Sequence, residues 1–243
     1  MPGRIATPMS AEPKGPARPG LYRLLAWASP AFPTGAFSYS HGLEAAAAAG
    51  TVRDRATLEG WIAAIVRAGC GRIDGDILCH AHRAARAGDP AALDAVNRRG
   101  VAFRASAELA LETSGQGAAF LATCRAAWPE PFLEAWAARL APAEPVCHAA
   151  IFGAATACAG IALADALLGH LEAFAANLMA AGLRLGIIGQ TDGQRILAAL
   201  APAIEGAAAA AATRDPADFG SATWAVDLAA IAHETQYTRL FRS

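Results

Sequence analysis

Between Asp54 and Ala68 the apolar residues Leu58, Trp61, Ile62, Ile65 and Val66 recur at i, i+3, i+4, i+7 and i+8. At about 100° per residue these positions share one face of an α-helix, and a helix striped in this way must bury that face against other elements. The same period returns in Leu167, Leu168, Leu171, Phe174, Leu178 and Leu183. No alternating strand pattern of useful length and no internal repeat occurs, so the pattern predicts an all-α fold. It would be a single-domain bundle of about eight to ten helices, each near the usual length of ~11 residues. With 243 residues, 55% of them apolar and 17% charged, and a net charge of −1, the chain can bury a sizeable core. That balance excludes a disordered polyelectrolyte and carries no nucleic-acid footprint.

Glycines and prolines mark the expected helix ends. Leu21, Leu24, Leu25 and Ala28 stripe a short helix that ends at Pro30. Gly69 and Gly71 interrupt the helix that begins at Asp54, and a continuation through Ile73, Ile77 and Leu78 stops at Gly88. Asp89-Pro90 then supplies an N-cap acceptor and a proline at the first helical position. Further helices are expected towards Phe120 and Leu121, from Pro131 through Trp136, from His148 to Arg184 with a break near Gly160, from Gln194 to about Ala212, and over 222–236. Residues 1–20 hold five prolines and three glycines and lack the apolar core of a signal peptide. They read as a disordered lead before a domain over 21–243. Five widely spaced cysteines without a C-x-x-C pair behave as small buried hydrophobes of a reduced protein. The longest apolar run, 149–164, is shorter than a membrane span needs. A cytoplasmic protein with no membrane segment is the expectation.

Against this helical background four polar segments stand apart. The first, Ser29 to Glu44, reads S-P-A-F-P-T-G-A-F-S-Y-S-H-G-L-E. Ser29-Pro30 and Phe32-Pro33 hold the chain extended, and Gly35 offers a backbone position with φ > 0. A rigid loop should follow, with a helix restarting near Ser38 or Ser40 and Glu44 in its first turns, where a carboxylate suits the helix dipole. Phe32, Phe37 and Tyr39 either plug the core or face a partner. The second segment is Glu112 to Gly117, and the third is Gly189 to Gln194, in a glycine-rich joint that runs from Gly186 to Gly193. The fourth, His233 to Ser243, ends the chain on H-E-T-Q-Y-T-R-L-F-R-S. Tyr237, Leu240 and Phe241 alternate there with Arg239 and Arg242, residue types favoured at interface hot spots, although Leu240 and Phe241 could equally pack on their own core.

Catalytic signals are weak. Asp74, Asp76, Cys79, His80 and His82 form the densest set of metal-ligating types; on a helix Asp76 and His80, four apart, share a face, but His80 and His82 point about 200° apart, and no H-E-x-x-H or C-x-x-C accompanies them. No phosphate-cradling glycine loop and no nucleophile elbow is present. A metal-handling protein or hydrolase using Asp76, Cys79, His80, His82 and His148 is the alternative to a binding module.

Taken together, the four segments resemble the urease accessory protein UreF family. Its loop of the form S-P-x-x-P-x-G-x-[FY]-x-x-S-x-G-L-E matches Ser29, Pro30, Pro33, Gly35, Gly42 and Glu44. Its G-Q-x-x-G-Q joint stands as Gly189, Gln190, Gly193 and Gln194, and its closing H-E-T-Q-Y-x-R-L-F-R-S as His233 to Ser243. Ile187 or Ile188 occupies a position where the family usually carries proline. The resemblance covers about residues 21–243. It implies a non-catalytic, homodimeric scaffold without a cofactor or resident metal. Such a scaffold binds UreD (UreH in some organisms), and the pair recruits the GTPase UreG to load nickel into apo-urease and modulates its GTP hydrolysis. It also implies that the tail orders when UreD binds. The implied partner-binding residues are Phe37, Tyr39, His233, Glu234, Gln236, Tyr237, Arg239, Leu240, Phe241, Arg242 and Ser243.

Overall fold

The computed structural model describes residues 19–243. The lead expected over residues 1–20 lies outside the described residues, except for Pro19 and Gly20, which open the first helix. The chain runs through α1 (Pro19–Trp27), α2 (Leu43–Ala48), α3 (Arg55–Ala68), α4 (Cys70–Arg86), α5 (Pro90–Ala102), α6 (Ala107–Ala127), α7 (Pro131–Ala137), α8 (His148–Cys158), α9 (Leu163–Arg184), α10 (Gln190–Thr213) and α11 (Trp224–His233). No strand occurs among the described residues, and the fold is all-α.

The centre is α8, which buries every residue from Ala149 to Ala157. Small side chains make that possible: a Cβ on Gly153 would stand 2.5 Å from the Leu78 carbonyl oxygen, so α8 and α4 meet backbone to backbone. Around this pair lie α5, α6, α7 and α9, while α10 packs along α9 and α3, and α11 covers α2. The stripe in α3 faces inward as its period requires, with Leu58, Ile62, Ile65 and Val66 fully buried.

Helix starts follow local chemistry. Asp54 accepts the Thr57 N–H at 2.9 Å in a reciprocal capping box. Asp89 accepts Ala91 and Ala92 N–H, both at 3.0 Å, with Pro90 next in line. Ser106 caps α6 through Leu109 N–H at 3.2 Å. Such caps contribute about 1 kcal/mol each.

Several local expectations shift. In α1 the inward residues are Leu24 and Trp27, while Leu21 and Leu25 are exposed, because Trp27 turns its ring edge-on to Phe120 and Trp128 and fixes the helix rotation. Leu168 faces outward from α9. Gly193 belongs to α10, which starts at Gln190; a Cβ there would meet Met179 Sδ at 2.6 Å, so this glycine lets α10 approach α9. By length and composition α9 and α10 would suffice for membrane spans, yet Leu167, Leu171, Leu178, Ile196, Leu200 and Ile204 from them belong to the common core.

Candidate functional site: the proline-glycine loop and the C-terminal tail

The loop after α1 turns tightly, with Phe32 N–H donating to the Ser29 carbonyl at 2.9 Å and Thr34 N–H to that of Phe32 at 2.8 Å. Ser29 Oγ accepts the Ala31 N–H at 3.2 Å. Phe32 enters the core beside Phe120 and Trp128. Gly35, at φ 76°, starts a single 3-10 turn over Ala36–Ser38, which lifts Phe37 out to 70% exposure while Tyr39 returns to the interior. The helix restarts only at Leu43, later than the sequence predicts, because Ser40 and His41 are engaged elsewhere. Ser40 N–H donates to the Ser243 carbonyl at 2.8 Å, and Ser40 Oγ bonds the same oxygen.

That contact brings the two ends of the domain together, and Glu44 completes the join. Its Oε1 accepts Leu240 N–H at 2.7 Å and its Oε2 accepts Phe241 N–H at 2.9 Å. His233 Nε2 lies 3.2 Å from the same Oε2, and His233 Nδ1 lies 2.6 Å from Glu108 Oε2. Arg239 Nη1 donates to the other Glu108 oxygen at 2.5 Å. Burial alone would raise the Glu44 pKa; the two amide donors and His233 outweigh it and hold the carboxyl below its ordinary value. The tail therefore hangs on a carboxylate that stays ionised.

The remaining tail residues divide between seat and rim. Arg242 N–H donates to the Ser38 carbonyl at 2.9 Å, and the Arg242 guanidinium carbon lies 5.8 Å from the Tyr39 ring centroid. Ser243 Oγ donates to Glu112 Oε2 at 2.8 Å. Glu234 reaches across to accept the Ala107 N–H at 2.7 Å at the start of α6, and Gln236 Nε2 donates to the Thr238 carbonyl at 3.0 Å. His233, Phe241 and Ser243 are buried, whereas Tyr237, Arg239, Leu240 and Arg242 are exposed.

Two contributors, Arg184 and Glu108, carry no local sequence signal. Arg184, at the end of α9, lies between two rings, its guanidinium carbon 3.8 Å from the Phe37 centroid and 4.4 Å from that of Phe241. It also donates to the Phe37 carbonyl, which ties loop, tail and α9 into one unit. Glu108 and Glu112, one turn apart on α6, supply the other two carboxylates under the tail. The Gly189–Gln194 segment, by contrast, opens α10 beside α9 and α3, where Asp192 lies 3.9 Å from Arg55; no hydrogen bond links it to the loop or the tail among the described residues.

Beneath the loop lies a cavity of about 470 Å³ whose polar wall includes Asp74, Arg104, Glu112, His148 and His170. Arg104 Nη2 donates to Asp74 Oδ1 at 2.7 Å. Burial would raise the Asp74 pKa, yet Arg104 and His170 hold it well below the carboxylate range. Burial pushes His148 down to about 3, with His170 adding to the effect. Because the unfolded imidazole titrates near 6.5, the unfolded chain binds the extra proton between about pH 6.5 and 3, so this contribution to stability is complete above 6.5 and shrinks as the pH falls. Relative to His148→Phe, the wild type should lose about 2 kcal/mol by pH 5. Urea unfolding at pH 7 and pH 5 checks this, and parallel losses in the two proteins would contradict it.

The residues of the metal-handling alternative do not converge. Asp76 Oδ1 accepts Arg214 Nε–H at 2.8 Å, and His82 Nε2 lies 2.9 Å from the Ile161 carbonyl oxygen. Among the described residues no group of three or more His, Cys, Asp or Glu side chains is placed to hold a metal ion.

The profile of the UreF family matches residues 52–201 of this chain. The chain belongs to the UreF family. A urease accessory protein UreF of Granulibacter bethesdensis is 49% identical over 223 residues, 92% of this chain and 94% of the relative. One of Azorhizobium caulinodans is 47% identical over 227 residues, 93% of this chain and 97% of the relative. One of Rhodopseudomonas palustris is 47% identical over 238 residues, 98% and 96% of the two chains. The profile covers the helical core and stops short of both the loop and the tail, whereas the alignments with UreF relatives extend over nearly the whole chain.

Proposed function

We propose that this chain is a non-catalytic accessory protein of urease maturation, acting in the cytoplasm as a homodimeric scaffold. It binds UreD, the counterpart of UreH, and the pair recruits the GTPase UreG, modulates its GTP hydrolysis and delivers nickel as cargo to apo-urease. The observation that carries this reading is the joined loop and tail. Phe37, Tyr237, Arg239 and Leu240 form an exposed rim of hot-spot residue types over a seat made by Glu44, Glu108 and Arg184. A rim held in place before the partner arrives loses less conformational entropy on binding than a free tail would.

Arg239→Ala should weaken UreD binding by about 2 kcal/mol, roughly thirtyfold, and Phe37→Ala by a similar amount. Calorimetric titration of the tagged chain with its cognate UreD measures both, and an unchanged affinity removes that residue from the interface. Adding UreG and following GTP turnover with and without the assembled pair tests the modulation; identical turnover would contradict it.

A further inference from the structure

The wall of the cavity beneath the loop carries two polar atoms left without partners among the described residues. Arg104 Nη2 donates to Asp74 Oδ1 at 2.7 Å, but no hydrogen bond reaches Asp74 Oδ2, from which His170 Nε2 stands 3.9 Å away. That nitrogen is buried and also has no hydrogen-bond partner, and His170 is only 4% exposed. Buried polar groups are ordinarily satisfied, so an adjacent pair that is not, on the wall of a cavity of about 470 Å³, marks a place for a ligand. His170 accepts at Nε2 when its proton sits on Nδ1. A nitrogen about 2.9 Å from each atom, donating to both, would bridge the 3.9 Å gap.

Donors on the polar wall are already engaged. Arg104 Nε bonds the Gly100 carbonyl at 2.9 Å, Gln116 Nε2 and Ser243 Oγ bond Glu112, and His41 Nδ1 lies 3.3 Å from the same carboxylate. Burial keeps His148 uncharged. With Arg104 matched by Asp74 and His41 by Glu112, the exposed Glu172 leaves the lining with a net negative charge. The rest of the wall is apolar, with Phe32, Phe152 and Phe174 facing Ala176 and Ala180 of α9 across the same space. Aromatic faces attract organic cations, and an ammonium on a flexible methylene stem matches compact acceptors beside apolar walls. A metal ion would need more ligands than converge here among the described residues.

We propose that this cavity binds an aliphatic diamine. One ammonium bridges Asp74 Oδ2 and His170 Nε2, the methylene stem lies along Phe32, Phe152 and Phe174, and the second ammonium pairs with Glu172. The site needs no partner protein, so its test is independent of UreD binding.

The full chain is titrated by calorimetry at neutral pH with 1,5-diaminopentane, n-pentylamine, 1-pentanol and Nα-acetyl-lysine methylamide. The diamine should bind at least tenfold more tightly than 1-pentanol, with n-pentylamine between them, and the side-chain ¹⁵N resonances of His170 should move with the amines and not with the alcohol. No binding of the diamine, or binding equal to that of the alcohol, would overturn the site. A lysine mimic that binds more tightly than the diamine would assign the ammonium to a protein side chain and overturn the free-ligand reading. Glu172→Gln should bring the diamine down to the affinity of n-pentylamine. Asp74→Asn should weaken both amines at least tenfold and leave 1-pentanol unchanged. Because that change strands the buried Arg104, helicity is checked by circular dichroism. If the variant fails to fold, Ala176→Phe, which fills the cavity from α9, takes its place and should abolish diamine binding. A folded Asp74→Asn or Ala176→Phe variant that binds the diamine as the wild type does would overturn the proposal.

Discussion

Glu44→Gln is expected to release the last four residues of the chain while leaving the helical core folded. The carboxylate receives two amide donors from the tail, Leu240 and Phe241, and contacts His233. A carboxamide offers one acceptor oxygen in place of two and turns its NH₂ towards a donor. Hydrogen bonds to an ionised group contribute about 1.5–3 kcal/mol each, so the tail should lose about 3 kcal/mol of docking energy. Amide hydrogen exchange at 240–243 would rise by roughly two orders of magnitude, and the affinity for UreD would fall with it, since the tail must then be ordered at the moment of binding. Exchange indistinguishable from wild type would show that other contacts hold the tail. The pH dependence has a definite sign. The Glu44 pKa is lower in the fold than in the unfolded chain, so its contribution is present above the ordinary carboxylate value and is lost as the pH falls through the folded one.

Gly42→Ala should be far more damaging than Gly35→Ala, although both glycines have φ 76°. A Cβ on Gly42 would stand 2.7 Å from the Ala230 backbone nitrogen and 3.0 Å from its Cα, whereas around Gly35 nothing lies within 4 Å. Both changes incur left-handed strain of about 1–2 kcal/mol, but only Gly42 adds a clash with backbone that cannot turn aside, a further ~1–3 kcal/mol. With about 2–4 °C lost per kcal/mol in a domain of this size, Gly42→Ala should lower Tm by about 10 °C and Gly35→Ala by only a few degrees. Thermal melts followed by circular dichroism check the contrast, and equal shifts would contradict the close approach of α2 to α11.

The all-α fold and most helix limits are legible because they rest on local chemistry. The stripe of α3 and the caps at Asp54 and Asp89 need no knowledge of the rest of the chain. What sequence periodicity misplaces depends on distant partners. Leu21 and Leu25 satisfy the same spacing as Leu24, and only the aromatic contacts of Trp27 decide which side of α1 turns inward. The late restart at Leu43 follows from a bond between Ser40 and Ser243, 203 residues apart. For the candidate site the loop and tail stand out by composition, and Glu44 by its place in the first motif. Its service as a seat for the tail is invisible, because a carboxylate in a first helical turn already has a sufficient local reason. Arg184 and Glu108 look like ordinary helix-surface charges until the fold brings Phe37, Phe241 and Arg239 to them. The resemblance implies a tail that orders on binding UreD, and the Glu44 carboxylate is the group on which the structure seats that tail.

The most direct test of the loop and tail as the recruiting surface removes the tail, core-packed Phe241 included, and leaves every helix in place. The cut belongs after Glu234, since His233 ends α11 fully buried and Glu234 supports the start of α6. The tagged chain, intact or lacking residues 235–243, would be expressed with its cognate UreD and UreG and the purified complexes weighed by light scattering. The account predicts a ternary complex from the intact chain and only a free, fully helical dimer from the truncated one. A truncated chain that still assembles with UreD and UreG would contradict it.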